Sequence, residues 1–152
     1  MRDADAFFLE LRALVEKELE SITKLNLELR NELSKPQQNV RILGSILHDF
    51  YNCCERIFKR IASEINGSFF EGEKWHKELL YRMTIAVEKL RPAAISEHLA
   101  AELDDYLSFR HVFRNIYGFE LKGERLTRLA HKFESVSEQL HNEIRAFLSK
   151  LQ

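Results

Sequence analysis

Residues 43–65 read LGSILHDFYNCCERIFKRIASEI. Leu43, Ile46, Leu47, Phe50, Cys54, Ile57, Phe58, Ile61 and Ile65 recur at intervals of three and four. On a helix those positions share one face, whereas a strand would alternate in twos. The run predicts a helix over about 38–65, buried along an unusually continuous stripe, with Asn66-Gly67 as its stop.

The same period extends in both directions. Upstream, Phe8, Leu11, Val15, Ile22, Leu25, Leu29 and Leu33 predict a helix over about 4–34. Ser34-Lys35-Pro36 ends it, because proline disfavours helix at the preceding residue. Downstream, Ser68 to Gly72 reads as a loop carrying Phe69 and Phe70, before a helix over about 73–89 with Trp75, Leu79, Met83 and Val87 on one face. Ser96 is an N-cap for a helix over about 97–116. After a turn at Gly118 to Gly123, Leu126, Leu129, Phe133, Val136, Leu140, Ile144, Phe147 and Leu151 mark a last helix over about 124–150. No strand-like alternation, internal repeat or low-complexity segment appears. Long stripes joined by short turns predict an all-α, antiparallel bundle of four or five helices, in one domain over residues 1–152. Stripes of this length also suit a homodimer.

Composition agrees: 45% of residues are apolar and 31% charged, with five glycines and two prolines. The net charge of −1 gives no global field toward nucleic acid, so any such contact needs a local basic cluster. No signal-peptide region and no membrane-spanning run is present. Cys53 and Cys54 are helical neighbours pointing about 100° apart, so they read as reduced thiols of a cytoplasmic protein.

Residues 109–117, FRHVFRNIY, end the fourth helix. Phe109, Val112, Phe113 and Ile116 fall on one side; Arg110, His111, Arg114 and Asn115 fall on the other. No carboxylate follows to pair the two guanidiniums until Glu120. The plainest account is a solvated basic face; a functional one is a site for an anion.

This segment resembles the signature of HEPN-superfamily proteins of the HepT-like kind: Arg, a polar residue, three variable residues, His, one variable residue, Tyr. Arg110, His111 and Tyr117 match, while Asn115 stands at the His position. His48-Asp49-Phe50-Tyr51, Glu55-Arg56-Ile57-Phe58, Trp75-His76-Leu79-Leu80 and Arg91-Pro92 extend the likeness over roughly residues 38–150. The resemblance implies a homodimeric toxin of a toxin–antitoxin pair that cleaves RNA, tRNA or mRNA, with no metal or other cofactor. Arg110 would polarise the scissile phosphate and His111 would orient the site, with Arg114 adding phosphate-binding charge. The partner would be a minimal nucleotidyltransferase antitoxin that silences the toxin by adenylylating Tyr117. An amide at Asn115 cannot carry a proton near neutral pH. Either His111 takes over that role, or the fold is a binding module for RNA or its partner without cleavage.

Glu73-x-x-His76 and Glu138-x-x-His141 match the spacing of di-iron bundles. The inward Glu required on the other helices is missing, and Glu18 is the only clear acidic break in a stripe, so both read as ordinary helix residues. Arg125 to His131 lacks the following Tyr and reads as chance spacing. His48, bordering the core stripe, reads as a satisfied buried imidazole. No Gly-rich phosphate loop or nucleophile elbow supports a kinase, dinucleotide or hydrolase reading.

Overall fold

The computed structural model describes residues 2–65, 74–115 and 123–151. They form five α-helices: α1 (Arg2–Leu33), α2 (Val40–Arg60), α3 (Trp75–Arg82), α4 (Glu97–Asn115) and α5 (Gly123–Ser149). One π-helical turn at Ile61–Ile65 continues α2. The expected all-α bundle is what the chain builds.

The stripe on α2 places that helix at the centre, in contact with α1, α3, α4 and α5. Leu47, Phe50, Cys54, Ile57 and Phe58 are fully buried. Phe50 meets Phe133 edge-on at 4.7 Å and Tyr106 at 5.2 Å between ring centroids, joining α2, α5 and α4. Offset aromatic pairs of this kind add about 0.5–1.5 kcal/mol beyond area burial. The Tyr106 hydroxyl donates to the Leu129 carbonyl at 2.7 Å, so the phenol enters the core with its polar end satisfied. Both cysteines are free and buried, and burial lifts the Cys53 thiol to about 11. Each is therefore a protonated core residue.

Where α2 and α4 cross, Gly44 lies under Phe113. A Cβ at Gly44 would come within 2.6 Å of Phe113 Cε1, closer than carbon atoms pack. Glycine is needed here for the close approach.

The turns follow their local chemistry. Asn39 caps α2, its Oδ1 accepting from the amides of Arg41 and Ile42. Glu32, buried at the end of α1, accepts from the Asn39 amide at 2.8 Å and from Lys35 Nζ at 2.9 Å. Ser96 caps α4 as expected, its Oγ accepting from the Leu99 amide at 3.1 Å.

The third helix is shorter than the stripe predicts, ending at Arg82 rather than near residue 89. The reason is tertiary. Arg91 is buried, and its guanidinium donates to the carbonyls of Arg82, Ile85 and Pro92, each at 3.0 Å. The Met83 carbonyl accepts from the amides of Ala94 and Ile95. These bonds hold residues 83–95 in a compact turn closed by the Val87–Arg91 bridge, with Lys89 in left-handed backbone at φ 67°. Val87 thus lies in the turn and not on a helix face.

Candidate functional site

On α2, residues 48, 52 and 55 are three or four apart and share a face, as do 110 and 114 on α4. The two faces meet. At one level Arg114 Nε donates to His48 Nε2 at 3.0 Å. At the next, Arg110 is held by two residues: Nη1 donates to Asn52 Oδ1 at 2.8 Å, and the fork donates to both Glu55 oxygens at 3.1 Å. The Tyr51 ring lies 4.9 Å from the guanidinium carbon. His76 on α3 completes the group, with Nδ1 2.7 Å from Glu55 Oε2 and 3.0 Å from Arg110 Nη2.

Arg110 and Glu55 are both buried, at 3% and 5% exposure. A bidentate pair with neighbouring hydrogen bonds is the form in which two charges tolerate that burial. This corrects two sequence expectations. Arg110 does not share a solvated face with His111 and Arg114, since it turns inward beside Phe109. The carboxylate that pairs it is Glu55, far along the chain, and Glu55 rather than Glu18 is the acid set into the core. Glu18 is half-buried on α1, bonded to the exposed Arg56 at 2.9 Å.

Beside this group a cleft of about 580 Å³ opens between α3 and α4. Lys74, His76 and Lys77 line one side. Leu107, Ser108, Arg110, His111, Val112 and Arg114 line the other, and Arg125 closes it from α5. Among the described residues, cations and imidazoles make up most of the lining and no carboxylate belongs to it. On a chain of net charge −1, several cations are thus gathered along one concave place, as an anionic ligand requires, although Arg110 is paired with Glu55 and Lys77 lies 3.8 Å from Asp104.

The sequence-predicted residues divide. Arg110, His111 and Arg114 are brought to this cleft, Arg110 as part of its wall and the other two exposed. Asn115 closes α4 by its backbone, and its side chain lies outside the described atoms. Tyr117, Glu73, Phe69, Phe70 and the turn from Gly118 lie outside the described residues. Asn52, Glu55, His48 and His76 were not expected at the site. Glu55 carried a readable signal, being a carboxylate set between Tyr51 and Phe58 on the buried stripe.

His141 bonds elsewhere. Its Nδ1 lies 2.7 Å from the Ser137 carbonyl and its Nε2 3.1 Å from the Leu19 carbonyl, tying α5 to α1. Among the described residues no three His, Cys, Asp or Glu side chains gather as a metal site requires. Nor, among those residues, is any helix long and apolar enough to cross a membrane.

A family model described as HepT-like protein matches residues 42–151, which takes in the cleft from α2 to α5. No curated protein and no solved structure gives a match. With most of its length matched, and with the helical bundle that the family likeness implied, the chain belongs to the HepT-like family.

Proposed function

We propose that this protein is the toxin of a HEPN/nucleotidyltransferase pair, a metal-independent endoribonuclease that works as a homodimer and is silenced by adenylylation of Tyr117. The observation that carries the reading is the basic cleft walled by Arg110, His111 and Arg114. RNA is a polyanion, and Arg114, Lys74, Lys77 and Arg125 supply cations along the lining to meet its phosphates. Arg110 acts from the wall. Held in a fixed plane by Glu55 and Asn52 and paired in charge by Glu55, it shapes the cleft wall and fixes its neighbours while the exposed cations meet phosphate. A nucleotide added to Tyr117, two positions after Asn115 in the sequence, would bring bulk and negative charge against RNA.

The test is incubation of the purified chain with tRNA or mRNA in EDTA. Cleavage is expected to persist in the chelator. Charge reversal at the exposed Arg114 is expected to weaken RNA binding and to lower the slope of log affinity against log salt by roughly 0.7 per lost phosphate contact. A second reading rests on Asn115 at the family's His position: a module that binds RNA or its partner without cutting. Retained RNA binding with no cleavage by the wild-type chain would select it.

A further inference from the structure

The amide at Asn115 cannot take a proton from a ribose hydroxyl, so a cleaving site needs another base. Two imidazoles line the cleft, His111 and His76. His76 has a feature suited to general-base work: a buried anion bonded to one ring nitrogen. Its Nδ1 lies 2.7 Å from Glu55 Oε2, with the His76 side chain 30% exposed and that of Glu55 7%. The imidazole therefore spans from a buried carboxylate to the open cleft.

The same Nδ1 also lies 3.0 Å from Arg110 Nη2. One ring nitrogen cannot donate to the carboxylate and accept from the guanidinium at once. The shorter contact, to a formal anion that can only accept, sets the proton on Nδ1; Arg110 Nη2 bonds instead to Glu55 Oε2 at 3.1 Å. With Nδ1 protonated, the neutral ring carries its lone pair on Nε2. The Trp75 ring lies against the imidazole, tilted by 33° with 3.7 Å between centroids, and limits its rotation. A carboxylate orienting an imidazole, which in turn presents a lone pair, is the arrangement that hydrolytic triads use to activate a hydroxyl.

We infer that His76 is the general base of this site, its Nε2 taking the 2′-hydroxyl proton of RNA while Glu55 holds its Nδ1–H. The inference rests on the ribonuclease reading above and supplies the group that position 115 lacks. As the proton moves to Nε2, the 2′-oxygen attacks the adjacent phosphorus and forms the new P–O bond. The bond from phosphorus to the 5′-oxygen breaks with its electron pair. That oxygen takes a proton from water, and the imidazolium returns its own to the hydroxide left behind. The products are a 2′,3′-cyclic phosphate end and a 5′-hydroxyl end, with no net proton consumed. Glu55, reaching the substrate only through the ring, is a positioning residue, and Arg110 fixes Glu55 in turn.

The experiment compares wild type, His76→Asn, His76→Ala and His111→Ala on one RNA, with binding and thermal melting measured alongside. In His76→Asn the amide keeps a donor toward Glu55 and removes the base. Cleavage is expected to fall about 10²–10⁴-fold, with RNA affinity and melting temperature near wild type. Added imidazole is expected to restore part of the rate in His76→Ala, which a merely structural role would not allow. Cleavage by His76→Asn within a few-fold of wild type overturns the inference, as does loss confined to His111→Ala, while leaving the ribonuclease reading intact. A wild-type chain that binds RNA and never cuts it overturns both, and that control distinguishes the two failures.

Discussion

The residue that most shapes the site is Glu55, a carboxylate that enters the core only because Arg110 comes with it. Each charge alone would be stranded in an apolar setting, so removal of one partner costs more than the pair contributes. Glu55→Leu is expected to destabilise the chain by about 3–5 kcal/mol in denaturant unfolding. Glu55→Leu combined with Arg110→Met is expected to recover most of that loss while removing any RNA cleavage. A double variant no more stable than Glu55→Leu would show that the pair is not the source of the cost. This coupling was hidden in the sequence. Helical periodicity put Arg110 on the polar side of its own helix, and it says nothing of a partner 55 positions away. His76 was hidden in the same way, since its sequence surroundings marked it as an ordinary helix residue while its actual neighbour sits on α2.

At the scale of elements, the helices were legible because each stripe is long and each cap is local. Ser96 and Pro36 marked boundaries that the structure keeps. The end of α3 was not legible, because Arg91 sets it from beyond the helix by capturing three carbonyls. The α1–α2 turn offers a pH test. The Asn39 amide, and after it Lys35, hold the Glu32 carboxyl below its ordinary range. A carboxylate lowered on folding contributes stability that is complete above its unfolded value and is lost as pH falls through its folded value. The stability gap between wild type and Glu32→Gln is therefore expected to be widest near neutral pH and to close below about pH 4. Urea unfolding of both proteins across pH 3–7 checks this, and a gap that grows in acid would reverse the assignment.

For the whole molecule, a central α2 touches every other helix and leaves one surface of α4 to line the cleft. The core is closed from α1 and α5, so the side facing α3 is left to form the cleft. The bundle could be read from hydrophobic period alone, and the cleft could not, since it depends on how three helices diverge. The proposed assembly is testable by native mass measurement after co-expression with a nucleotidyltransferase partner. A species of twice the 18.0 kDa chain is expected, with one AMP unit per chain that is absent from Tyr117→Phe. A monomer, or an AMP unit that survives in Tyr117→Phe, would remove the dimer or the acceptor assignment respectively.

Gly44 gives these scales a common origin. Phe113 settles into the hollow that its missing side chain leaves, and Arg110 sits one helical turn before Phe113. The seating of that ring on α2 thus depends on a bare Cα. Even a methyl group there would act as a shim beneath the Phe113 ring, which would have to swing aside although no residue of the cleft is altered. A position that has no chemistry of its own thus governs how an aromatic ring of α4 is seated on α2.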